Sequence, residues 1–147
     1  MKILMWAGVT SLVLAGCAGM QSGGTKAEVV AAAQAWGAAY DSRDAARITA
    51  QYAPDATFGG TTMKSIATTQ PAVSEYFKDV AARPNARVRF DSHTVRMLGD
   101  VATDSGAYTF LDQRDGAPST NPARFTLVFQ HRDGRWVLVH HHSSRLP

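Results

Sequence analysis

From Lys26 onward, apolar positions recur at three-to-four spacing. Val29, Val30, Ala33, Trp36, Gly37 and Tyr40 fall on one side of a helix, with Thr25 as its N-cap and Glu28 three residues on to complete a capping box. Asp41-Ser42-Arg43-Asp44 interrupts that run, and residues 45–52 read as a short second helix stopped by Pro54. Pro71 suits the first turn of a third helix, in which Val73, Tyr76, Phe77 and Val80 form a core-facing stripe. After Pro84 the period changes to two. Alternating runs over 87–98, 101–113, 123–132 and 135–143 predict four strands. Gly99-Asp100 and Asp133-Gly134 supply tight turns, and residues 114–122 read as a longer, mobile loop. Short strands are also expected around 56–58 and 61–66. Helices followed by an antiparallel meander predict an α+β architecture, with the N-terminal helices packed on a curved sheet that encloses a pocket.

Upstream of the first helix the pattern is of another kind. Met1-Lys2 is followed by an apolar run over 3–14, broken only by Gly8, Thr10 and Ser11, and the run closes on Leu14-Ala15-Gly16-Cys17. It is well short of the ~20 residues a bilayer-spanning helix needs. Charge, apolar run and small residues in that order are the marks of a secretory signal. The segment resembles a bacterial lipoprotein signal. The resemblance implies cleavage before Cys17, acylation of its thiol and acylation of the new amino terminus. Several acyl chains, at ~0.8 kcal/mol per buried methylene, hold a small domain on a membrane where one chain binds only reversibly. Ala18 stands where an Asp would retain such a protein at the inner membrane, which implies the periplasmic face of the outer membrane. The glycine-rich residues 18–25 read as a flexible tether. The expected organisation is a signal over 1–16, a lipidated cysteine and tether over 17–25, and one domain over 26–147.

Composition narrows the function classes. The 147 residues are 45% hydrophobic and 18% charged, an ordinary globular balance for a single domain. Fifteen Lys and Arg against twelve Asp and Glu give a formal +3, but the basic residues are scattered singly and build no run for a nucleic-acid backbone. One cysteine excludes an internal disulfide and a cysteine-based zinc site. No cofactor is called for.

Several segments carry a family likeness: Trp36 to Tyr40 with Asp41, Tyr52-Ala53-Pro54-Asp55-Ala56, Val73 with Tyr76-Phe77, Leu98-Gly99-Asp100-Val101-Ala102 and Gly106-Ala107-Tyr108. Ala123-Arg124-Phe125-Thr126, Gly134-Arg135-Trp136 and the ending His140-His141-His142-Ser143-Ser144-Arg145-Leu146-Pro147 complete the set. Together they resemble the nuclear transport factor 2-like superfamily. Within it they are most similar to SnoaL-like, SgcJ/EcaC-type bacterial relatives of the calcium/calmodulin-dependent protein kinase II association domain. The resemblance implies a cone-shaped fold, homodimers or larger homo-oligomers built through the outer face of the sheet, and small hydrophobic or carboxylate-bearing ligands in the cone. A fold alone does not fix a function.

Arg124 matches the arginine that such proteins place inside the cone. A guanidinium there is a fork for a carboxylate, whereas a structural arginine would pair with a local acid such as Asp104. Strand alternation puts His140 and His142 on one face with Trp136, and His141 on the other. Two same-face histidines without a third ligand make a poor metal site, but they can hold or give a proton beside Arg124. Tyr108 shares a face with Asp104 and can present its hydroxyl to the pocket. Ser143 and Ser144 sit at a strand end and lack the surroundings of a nucleophile. The expected ligand site is therefore Arg124, Tyr108, His140 and His142, holding a small molecule whose carboxylate meets Arg124. An isomerase, dehydratase or cyclase using the same pocket, and a purely structural association module, are the alternatives.

Overall fold

The computed structural model describes residues 24–147. Helix α1 (Lys26–Asp41) starts at the anticipated capping box: Thr25 Oγ1 accepts from the Glu28 amide, and Glu28 Oε2 accepts from the Thr25 amide. Helix α2 (Ala45–Thr49) is shorter than its sequence pattern suggested, and Asp44 caps it by accepting from the Ala46 and Arg47 amides. Tyr52, expected at its end, instead opens strand β1 (Tyr52–Gly59). Pro54 is tolerated there because β1 is an edge strand and the pairing slips between Tyr52 and Thr57. Helix α3 (Gln70–Ala81) carries Pro71 in its first turn and buries Val73, Phe77 and Val80.

The sheet continues with β2 (Arg87–Phe90), β3 (Thr94–Leu98), β4 (Val101–Arg114), β5 (Ala117–Arg132) and β6 (Arg135–Arg145). Its order is β1-β6-β5-β4-β2, with β3 also on β4, and β1 runs parallel to β6. The helices pack on one face of this six-stranded mixed sheet. The core between them contains Trp36, Ile48, Phe58, Phe77, Tyr108, Leu127, Phe129 and Leu138.

Three expectations need correction. The sheet is mixed, not a pure meander, because residues 52–59 extend instead of finishing a helix; residues 61–66 form no strand, although Phe58 bridges Ala67. The run 87–98 is two strands: three residues, Asp91 to His93, face only Gly106 and Ala107, and both the Asp91 and Ser92 amides donate to the Ala107 carbonyl. This is a bulge that bends the edge. Residues 114–122 are not a mobile loop. Asp115 and Gly116 alone make the turn, with φ of 52° and 77°, and pairing resumes at Arg114 with Ala117. Asp133-Gly134 has the same left-handed geometry, so two Asp-Gly hairpins bound β5.

Gly106 is required by the edge bulge, since a Cβ there would collide with the Ser92 carbonyl. Gly106→Ala is expected to cost about 1–3 kcal/mol, read as a lowered urea midpoint at unchanged slope.

Candidate functional site

The pocket is set by an irregularity in β6. Val128 pairs with His140 and Phe129 with Leu138, which leaves Val139 as an extra residue. An inserted residue exchanges the faces of everything beyond it. Leu138 faces the helices before the bulge, and His141 and Ser143 do so after it, while His142 is exposed on the outer face. The inward histidine is thus the middle one of the three.

His141 is 1% exposed and lies between two phenols. Its Nδ1 is 2.8 Å from the Tyr52 hydroxyl and its Nε2 is 3.2 Å from the Tyr108 hydroxyl. The indole N–H of Trp36 donates to the Tyr52 hydroxyl at 3.0 Å. Trp36 also meets the imidazole edge-on, with centroids 4.9 Å apart. Next to this floor, the Ser143 and Thr61 hydroxyls are hydrogen-bonded to each other. Above it rise the rings of Tyr40, Phe58, Tyr76, Phe77 and Phe110, giving a narrow pocket with about 540 Å³ of empty space including its open mouth.

The mouth is charged. Arg83, Arg114 and Arg145 line it with a single carboxylate, Asp112, and with Asn121. Asp112 is buried and loosely held: its Oδ2 lies 4.0 Å from Arg83 Nη1, its Oδ1 3.7 Å from Arg114 Nε, and Oδ1 has no hydrogen-bond partner. Three guanidiniums against one carboxylate leave an excess of positive charge over an apolar shaft. The interior is neutral. Burial pushes the hydroxyls of Tyr52 and Tyr108 far above the ordinary phenol range, with the Trp36 and Ser143 hydrogen bonds respectively opposing it. Burial likewise lowers His141 to about 3, with smaller contributions from His140 and His142.

Of the residues expected at the site, Tyr108 lines the pocket. Arg124 does not, and this corrects its expected place: it alternates with the buried Ala123 and Phe125, so it is exposed on the outer face. There it shares a shallow hollow with Ser105, Thr126, His142 and Ser144. His140 also faces away from the pocket and pairs with Thr57 across the strands, Nδ1 to Oγ1 at 2.7 Å. Trp136 is separated from these two histidines by the bulge and joins Trp36, Phe129 and Leu138 instead. Asp104 is bound by His93 Nδ1 at 2.6 Å, not by Arg124, and its Oδ1 is a buried acceptor without a partner. Among the described residues, no three His, Cys, Asp or Glu side chains converge as a metal site would require.

The residues missed by sequence reasoning are His141, Tyr52, Ser143 and the three mouth arginines. A signal existed for most of them. Arg114 continues the inward series Tyr108, Phe110, Asp112; Arg83 continues the α3 stripe three residues past Val80; and Val137-Leu138-Val139 breaks alternation where the bulge lies.

The depressed imidazole has a consequence for stability. Unfolded, His141 takes up a proton near pH 6.5, whereas folded it stays neutral until about pH 3. The unfolded chain therefore binds more protons below pH 6.5, and stability falls as the pH drops toward 3. His141→Gln is expected to flatten the dependence between pH 6.5 and 5 by up to about 1.4 kcal/mol per pH unit, measured by urea denaturation at each pH.

The sequence of residues 29–147 matches the family model of the SnoaL-like domain. No curated protein matches the chain. Among solved structures, it is similar to one from Xanthomonas campestris described as a calcium/calmodulin-dependent protein kinase II association domain. The identity is 31%, over 88% of this chain and 94% of that one, with a TM-score of 0.78. The hub homology domain of that kinase from Chlamydomonas reinhardtii is 26% identical over 82% and 97% of the two chains, with a TM-score of 0.71. A protein from Streptomyces avermitilis described as a dehydratase of the NTF2-like family has a TM-score of 0.71 at 17% identity, over 82% and 96%, and so shares the fold. With helices on a curved sheet around an aromatic cone, a fold shared with NTF2-like proteins, and a family match over residues 29–147, the chain belongs to the SnoaL-like domain family.

Proposed function

We propose that this chain is a lipid-anchored envelope protein that binds a small organic acid in its cone and assembles with copies of itself through the outer face of the sheet. The observation that carries the ligand is the mouth: Arg83, Arg114 and Arg145 over a pocket whose wall is aromatic and whose interior is uncharged. A carboxylate satisfies the guanidiniums in a fork geometry, while a flat apolar body fills the shaft. Arg124, first expected to fill that role, is replaced by these three.

Binding is favoured over turnover by the groups available. Proton abstraction needs a base in reach of the substrate. Among the described residues lining the pocket, the one carboxylate is Asp112, and it sits between two guanidiniums at the mouth. The floor imidazole is held by both its nitrogens. Self-association is supported by the likeness to association and hub domains at 31% and 26% identity. The outer face, with Arg124 and His142 exposed on it, is the surface such an assembly would use. The anchor rests on Leu14-Ala15-Gly16-Cys17, which lies outside the described residues, as does most of the proposed tether.

Titration calorimetry with benzoate and trans-cinnamate tests the ligand. Arg83→Ala, Arg114→Ala and Arg145→Ala are each expected to weaken binding about five- to tenfold, and Arg124→Ala to leave it unchanged. Unchanged affinity in all three mouth variants would sink this reading. Mass spectrometry of the protein produced with its signal in a bacterial host is expected to show acyl groups on Cys17, and an unmodified thiol there would refute the anchor.

A further inference from the structure

Within the mouth, the acid is buried and the bases are not. The Asp112 side chain is 5% exposed, against 37% for Arg83 and 55% for Arg114. Those guanidiniums come to 4.0 and 3.7 Å of it, beyond hydrogen-bond distance, and its Oδ1 has no donor at all. A buried carboxylate oxygen without a donor is costly. Strand alternation sets the way it faces: Tyr108, Phe110 and Asp112 take successive inward positions of β4, so the carboxylate continues the pocket wall.

The acid is also fixed while the bases can move. Asp112 sits on a paired strand opposite Ser119, whereas Arg83 reaches in from just past α3 and Arg114 from the last position of β4. Long ion pairs with an exposed partner contribute little. An arriving carboxylate can therefore turn both guanidiniums toward itself at small cost. That exchange alone leaves Asp112 worse off, since it draws its cations away and sets a second negative charge beside it. A ligand that carries a cation on the carbon next to its carboxylate avoids this. The carboxylate takes the guanidinium fork, and the cation gives Asp112 the donor it lacks.

We propose that the cone binds α-amino acids with aromatic side chains, holding the carboxylate on Arg83 and Arg114, the ammonium on Asp112 and the ring in the aromatic shaft. The inference rests on the binding of an organic acid at the mouth and adds the class of that acid. The mouth sets opposite charges side by side, and an α-amino acid presents the complementary pair one carbon apart. An ammonium suits Asp112 better than a hydroxyl does, because the acceptor is charged and charge-assisted hydrogen bonds are roughly twice as strong as neutral ones. Repulsion from the guanidiniums is the weaker effect: they are open to screening by water, and the Asp112 Oδ1 is buried.

The test uses three acids that differ only at the carbon beside the carboxylate, by titration calorimetry on the full chain. L-phenylalanine carries an ammonium there, L-phenyllactate a hydroxyl and 3-phenylpropanoate a hydrogen. Wild type is expected to bind phenylalanine about tenfold more tightly than 3-phenylpropanoate, with phenyllactate between them. Asp112→Asn is expected to weaken phenylalanine and to tighten 3-phenylpropanoate, whose carboxylate no longer meets a second one. A merely structural role for Asp112 would weaken both together. If the variant does not fold, the order of the three acids on wild type decides. Phenyllactate or 3-phenylpropanoate binding as tightly as phenylalanine would overturn the proposal, as would a preference for phenylalanine that survives in Asp112→Asn. Binding of benzoate and trans-cinnamate separates the two readings: if they bind and phenylalanine is not preferred, the amino-acid class fails alone, and if no acid binds, both fail.

Discussion

At the base of the cone an uncharged imidazole joins parts of the chain that are distant in sequence. His141 on β6 is bound through Tyr52 to the first strand and to Trp36 on the first helix, and through Tyr108 to the middle of β4. An ionised group there would forfeit its hydration with nothing to offset the loss, and a fully apolar one would take a buried hydrogen-bond partner from each of two phenols. A neutral ring with one donor and one acceptor meets both demands. The same contacts close the inner end of the pocket, so the packing that holds the helix on the sheet also determines what a ligand finds at the bottom.

Charge is kept to the other end. The aromatic wall separates a floor of hydroxyls and imidazole from the guanidiniums at the mouth. The two ends therefore differ in physics: the field of the exposed guanidiniums acts through water and is screened by salt, whereas the hydrogen bonds of the floor are made in a buried, uncharged setting.

Much of this architecture was legible in the chain. The capping box at Thr25, the Pro71 start of α3, its Val73-Phe77-Val80 stripe and the Asp133-Gly134 turn are local signals with local causes, and the α+β order followed from them. What escaped depends on events that alternation cannot see. Val139 adds one residue to β6 and so exchanges inside for outside beyond it, moving His140 and His142 out and His141 in. Asp115-Gly116 turns the chain in two residues, so a stretch rich in Pro, Ser and Asn reads as loop yet pairs as strand with β4. Arg124 was assigned by likeness to a family pattern, although its own neighbours Ala123 and Phe125 already claimed the inward positions.

The bulge in β6 also divides that strand as an inherited object. Past Val139, positions 141 and 143 are felt in the pocket and positions 140 and 142 on the opposite surface, with the register of both pinned by β5 and β1. A lineage can therefore change what the cone accepts without disturbing what the outer face meets, and the reverse, by substitution at alternate residues of one short segment. Loss or gain of a residue at the bulge exchanges the two faces at once, so this strand depends on its length before it depends on any one side chain.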